Sequence, residues 1–117
     1  MRYMLLIYSR EGEMSAEEHN AVAQTHQAVM TEAAQQGIFH GAEPLMPTSS
    51  ATTVRVDDGN VLVTDGPFAE TKEQLAGYYI LDCQNLNEAI EWARKIPTAC
   101  CGHEGSVEIR PIRLMTV

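Results

Sequence analysis

Apolar positions along this chain follow two rhythms, and the change from one to the other marks out the elements. Arg2 to Tyr8 is a near-continuous apolar run, which predicts a strand buried on both faces. Arg10-Glu11-Gly12-Glu13 breaks it. Ser15-Ala16-Glu17-Glu18 then has the form of a capping box: the serine hydroxyl can accept an N–H three residues on while Glu18 reaches back. The helix so started is predicted to run to about Gln36, with Gly37 as its stop. Val22, His26, Val29, Met30 and Ala33 recur at three- and four-residue steps and make its inward stripe, with His19 earlier on the same side.

Extended character resumes from Ile38-Phe39-His40 to Leu45-Met46, where Gly41 permits a kink or bulge, and Pro47 ends it. Thr52 to Val56 and Asn60 to Thr64 flank Asp57-Asp58-Gly59, a strong hairpin signal. Ala76 to Cys83 is another strand, with Tyr78, Ile80 and Asp82 on one face and Tyr79, Leu81 and Cys83 on the other. Asn85 caps a second helix with Glu88 three residues on; Leu86, Ala89, Ile90 and Ala93 form its stripe and Pro97 ends it. Trp92 lies on a neighbouring face, where packing is the simpler role than recognition. A link punctuated by Gly102 and Gly105 leads to a last strand, Val107 to Leu114, in which Pro111 favours an edge or bulged position.

The order is strand, helix, strand, two hairpin strands, strand, helix, strand. With the hairpin set aside, βαββαβ remains, the ferredoxin-like arrangement in which two helices cover one face of an antiparallel sheet. The expected fold class is therefore α+β, a single domain over residues 1–117 with an inserted β-hairpin. So apolar a sheet leaves an uncovered face, and pairing two copies face to face would bury it.

Composition narrows the classes of function. The 117 residues suffice for one domain with a real core, and 44% hydrophobic with 21% charged residues is ordinary globular usage. Sixteen acidic against eight basic residues give a net charge of −8, and no basic run exists to neutralise phosphates. That argues against nucleic acid and against an anionic membrane surface as partners. Met4 to Tyr8 is too short for a signal core or a membrane span. Three cysteines, two of them adjacent, make no disulfide framework, and Cys100-Cys101-Gly102-His103 lacks the spaced ligand pairs of a zinc site. Reduced thiols, no metal and a cytoplasmic protein are the expectation.

Two residues carry candidate chemistry. Asp65 ends a strand at Asp-Gly-Pro, where Gly66 can take backbone angles closed to other residues and Pro67 fixes its own φ. Such a turn presents a carboxylate, or else uses it to bond local N–H groups. His26 on the inward stripe is either a satisfied core histidine or the wall of a pocket between helix and sheet, titrating near neutral pH. Arg55 is a ligand-binding cation or a solvated strand residue. No phosphate loop or dinucleotide fingerprint is present, so no cofactor is implied.

Met1 to Tyr8, Ala51 to Arg55, Val63-Thr64-Asp65-Gly66-Pro67-Phe68-Ala69-Glu70-Thr71-Lys72-Glu73 and Val107 to Pro111 together resemble the DGPF-domain branch of the YCII-related family. The resemblance covers essentially the whole chain. It implies a dimeric α+β barrel of the ferredoxin-like type in bacterial cytoplasm, mostly without an assigned function. Some YCII-related proteins carry a histidine–aspartate pair considered an active site, and one relative eliminates chloride from a chlorinated hydroxyhydroquinone. The family's histidine lies in the first helix before its terminal glycine, which His26 matches, eleven residues ahead of Gly37. Simpler members have Asp-Pro after the second helix where this chain has Ile96-Pro97, so Asp65 is the substitute carboxylate.

Two classes of function follow. One is a small-molecule enzyme performing proton transfer, isomerisation or elimination on a cyclic substrate, with His26 as general acid or base and Asp65 orienting it. Tyr8, Phe68 and Tyr78 would shape its pocket and Arg55 would bind the substrate. The other is a non-catalytic binding or regulatory module, linked through the resemblance to extracytoplasmic-function sigma factor systems. Convergence of His26 and Asp65 in one concave pocket is what separates them.

Overall fold

The computed structural model describes residues 1–115. The chain forms β1 (Arg2–Ser9), α1 (Ala16–Gln35), β2 (Phe39–Pro44), a single 3-10 turn at Thr48–Ser50, β3 (Thr52–Asp57), β4 (Asn60–Asp65), β5 (Gln74–Asp82), α2 (Leu86–Ala93) and β6 (Ser106–Pro111). Local chemistry sets the ends. Ser15 Oγ accepts the Glu18 N–H at 3.1 Å and Glu18 Oε1 accepts the Ser15 N–H at 3.2 Å, so the capping box is complete in both directions. Gly37, at φ 74°, lets the Ile38 N–H return to the Ala33 carbonyl at 3.1 Å and closes α1. Asn85 Oδ1 accepts the Glu88 N–H at 2.9 Å to start α2, while Glu88 reaches back to the Gln84 N–H.

β2, β5, β1 and β6 make one antiparallel sheet in that order. The order is compatible with the ferredoxin-like path. Pro111 ends β6, an edge strand, where a missing N–H costs no ladder bond. Between Phe39 and Gly41 the β2 register shifts, a bulge at His40. The helices cover one face. Tyr3, Leu5 and Ile7 of β1 and Tyr79 and Leu81 of β5 point there, with Cys83 just beyond. They pack with Val29 and Ala33 of α1, Ala89 and Trp92 of α2, and Ile96. Among the described residues, neither helix is long and apolar enough to cross a membrane.

Two expectations change. β1 is not buried on both faces: Met4, Leu6 and Tyr8 are half-buried on the side the helices leave open. A continuous apolar run cannot distinguish a second buried face from one left for another molecule. In α2, Leu86 and Ile90 are exposed, and Trp92 rather than either of them fills the core. Eight residues make barely two turns, so the large indole sets which face turns inward. The sulfurs of Cys100 and Cys101 lie side by side, and Cys83 is a thiol buried in the core. Cys100 and His103 exchange backbone bonds around Cys101 (φ 59°) and Gly102 (φ 84°), a two-residue reversal that holds the adjacent cysteines together.

β3 and β4 form a separate two-stranded ribbon, turned at Asp58 (φ 49°) and Gly59 (φ 80°) as a two-residue type I′ connection requires. Val54 faces Val63 and Val56 faces Val61 across the ladder, so four valines share one side. They are 59%, 62%, 70% and 63% exposed in that order. The radius of gyration, 16.1 Å, exceeds the roughly 13 Å of a compact chain of this length, as a projecting ribbon requires.

Candidate functional site

The inward stripe of α1 runs beyond the core. Val29 and Ala33 are buried against the sheet, whereas His26 and Val22, one and two turns earlier, are half-buried where the sheet ends. A cavity of about 360 Å³ opens there, formed by the end of β1, the chain after it, the segment following β2, the start of β5 and the segment following α2. Ile7, Met14, Val22 and Leu75 give it apolar walls, and Leu45-Met46-Pro47 and Pro97 add to them. Its polar lining includes Ser9, Arg10, Glu11, Glu13, His26, Gln74 and Thr98. The volume suits a small organic molecule.

His26 is tied to the sheet. Its Nδ1 lies 2.7 Å from the Tyr79 hydroxyl, and the ring centroids are 5.8 Å apart. Tyr79 is buried, so its hydroxyl needs a partner inside the protein, and His26 supplies it. Burial lowers the His26 pKa from its ordinary 6.5 and pushes Tyr79 up to about 12. Both are therefore neutral at pH 7. Nε2 of His26 has no hydrogen-bond partner among the described residues.

The chain around the cavity is pinned by side chains. Glu11 Oε1 accepts the Thr48 N–H at 2.9 Å and Oε2 accepts the Thr48 hydroxyl at 2.8 Å, joining the segments after β1 and after β2. Gln74 Nε2 donates to the carbonyls of Ala69 and Thr71, both at 3.2 Å, and so ties the segment before β5 to a cavity residue. Thr98 Oγ1 accepts the Gly105 N–H at 3.2 Å. Among the described residues, no group of three or more His, Cys, Asp or Glu side chains could hold a metal ion.

The family model of the YCII-related domain matches residues 1–116. The chain belongs to the YCII-related family. An uncharacterized protein of Rhizobium meliloti (strain 1021) is 41% identical over 117 residues, covering 97% of this chain and 94% of the relative.

Of the residues singled out in this YCII-related domain, the structure brings only His26 to the cavity. Asp65 ends β4 opposite Thr52, exposed and outside the cavity lining, so within one chain it does not converge with His26. Its turn is held by other groups: the Gly66 N–H donates to the Ala51 carbonyl at 2.8 Å and the Thr53 hydroxyl to the Gly66 carbonyl at 2.8 Å. Arg55 is exposed on β3, and Phe68 is 79% exposed beyond β4. Tyr8 and Tyr78 lie on the open side of the sheet, where the Tyr8 hydroxyl donates to Glu108 Oε1 at 3.4 Å. Within one chain these side chains lie apart from the cavity that His26 lines. The alternation of β5 turns Tyr78 away from α1 and Tyr79 toward it.

Tyr79 is the partner of His26 that the sequence pattern did not single out. Its face was readable from the alternation, and a buried hydroxyl opposite a stripe containing His26 was the available signal. Arg10 and Glu11 read locally as a strand break, and nothing in their neighbourhood marks them as cavity residues.

Proposed function

We propose that this protein binds a small organic molecule in the cavity and that His26 acts on it as a neutral hydrogen-bond donor through Nε2–H. The 2.7 Å contact between His26 Nδ1 and the Tyr79 hydroxyl carries this reading. Tyr79 has one hydroxyl proton and two acceptors within reach, Nδ1 at 2.7 Å and the His26 carbonyl at 3.5 Å. The first is a full hydrogen bond and the second lies at the limit of one, so the proton goes to Nδ1. A neutral imidazole that accepts at Nδ1 carries its own proton on Nε2. Such a donor polarises a carbonyl or stabilises the oxygen of an enolate, the electrophilic half of an isomerisation or elimination. Tyr79 takes the orienting part that the resemblance gave to an aspartate.

The test is a screen of one-ring neutral and charged compounds followed by amide chemical shifts. Binding that moves Val22, His26, Ala76 and Thr98 supports the reading. Compounds that move only the open face of the sheet contradict it.

We also propose that two copies pair through that open face, as a dimeric α+β barrel with β3–β4 inserted into a ferredoxin-like unit. Met4, Leu6, Tyr78 and Ile80 are half-buried on it, outside the helix-covered core cluster. The four-valine side of the ribbon is similarly bare, and an isolated two-stranded ribbon is at best marginally stable in water. The Asp65-Gly66-Pro67-Phe68 string at the base of the ribbon supports the DGPF branch.

A further inference from the structure

Charge around the cavity is unevenly engaged. Arg10 lines it, half-buried at the end of β1, and makes no ion pair or side-chain hydrogen bond among the described residues. It is the one lysine or arginine in the lining. Both oxygens of Glu11 are held by Thr48, and Glu13 is exposed. A guanidinium keeps its charge at any pH of interest and favours a carboxylate, which it can grip with two parallel bonds. His26, whose Nε2 has no hydrogen-bond partner among the described residues, adds a donor to the same cavity in the tautomer proposed above.

We propose that the cavity takes a small organic carboxylate on an apolar body of about one ring, with Arg10 as its counter-ion and His26 Nε2–H as a second donor. The proposal rests on the small-molecule reading of the cavity and adds the ligand's charge to it. The apolar walls, Ile7, Val22 and Leu75 among them, suit the body, and the arginine suits the anionic end. The surrounding net charge of −8 works against non-specific anion binding, so any carboxylate preference is a property of this cavity rather than of the surface.

The test titrates the full chain with benzoate, benzamide and benzylamine, following the amides of Val22 and Thr98. Benzoate is expected to bind about tenfold or more tightly than benzamide, as loss of one charged hydrogen-bonded contact implies. Arg10→Gln should remove that preference while leaving benzamide affinity within about twofold, and Arg10→Lys should restore part of it. Melting curves of both variants establish that they fold. If benzamide or benzylamine binds the cavity as well as benzoate does, the carboxylate assignment falls and the small-molecule reading stands. If Arg10→Gln leaves benzoate binding unchanged, the role of Arg10 is overturned. If none of the three moves the cavity amides, the carboxylate proposal is overturned, and neutral non-aromatic hits from the screen decide the wider reading.

Discussion

The Tyr79 hydroxyl and His26 Nδ1 meet at 2.7 Å across the layer between β5 and α1, 53 residues apart in sequence. Each satisfies a polar group that the other's burial would otherwise strand. The bond thus joins the packing of the fold to the cavity, since whether Nδ1 accepts from Tyr79 or donates to it decides what His26 presents at Nε2.

Tyr79→Phe separates those two roles, because the ring still fills the core while the hydroxyl is gone. Loss of one partly buried hydrogen bond should lower stability by about 1 kcal/mol. His26 should then lose its fixed tautomer, and ligand affinity should fall more than stability does. Denaturant unfolding and a histidine nitrogen spectrum check both halves; a variant with an unchanged spectrum would remove Tyr79 from the account.

Acid should weaken the fold partly through His26. Burial holds its folded pKa below 6.5, so the unfolded chain takes up a proton near 6.5 while the folded chain still resists. Below that pH the unfolded state binds more protons, and stability falls until the lower folded pKa is passed; above 6.5 this contribution is fully present. Denaturant midpoints measured between about pH 7.5 and about pH 5 should fall less steeply in His26→Gln than in the parent. Parallel curves would contradict the depressed pKa.

Gly105 is required by space. A Cβ there would collide with the carbonyl oxygen of Tyr8 and come within 2.8 Å of that of Thr98, both backbone atoms. Gly105→Ala should therefore cost about 2 kcal/mol or more and disturb the cavity wall at Thr98. Gly41→Ala, where nothing lies within 4 Å of the added carbon, should change stability by no more than about 0.5 kcal/mol. Equal melting temperatures for the two variants would show the close approach to be wrong.

Pairing of two copies is tested on the ribbon. Val63→Lys places a charge among the four valines without touching the helix-covered core. If those valines are covered in a pair, sedimentation should show a dissociation constant raised about tenfold or more, with the cavity resonances unmoved. A parent protein that sediments as a single chain at micromolar concentration would end the proposal.

What could be read in the sequence was local. Ser15 with Glu18, Gly37, Asp58-Gly59 and the alternation of Tyr79, Leu81 and Cys83 each state their own geometry within a few residues, and each appears as read. The exposed Ile90 and buried Trp92 depend on how α2 lies on the sheet, which its eight residues do not encode by period. The cavity needs residues from five segments to converge at one end of the sheet, and no spacing along the chain announces that. The turn at Asp65 marks a candidate carboxylate in sequence, but Asp65 ends β4 of the ribbon, exposed and outside the cavity lining. Met4 and Leu6 carry the same ambiguity in another form, since a half-buried face on the open side of the sheet reads in sequence like a face meant for the core.

The most direct measurement is the protonation of the two His26 ring nitrogens in protein labelled with ¹⁵N-histidine, assigned by the signal lost in His26→Gln among the four histidines. At neutral pH the account predicts an uncharged ring with the proton on Nε2 and an unprotonated Nδ1 accepting from Tyr79. A proton on Nδ1, or a ring charged at neutral pH, would contradict it.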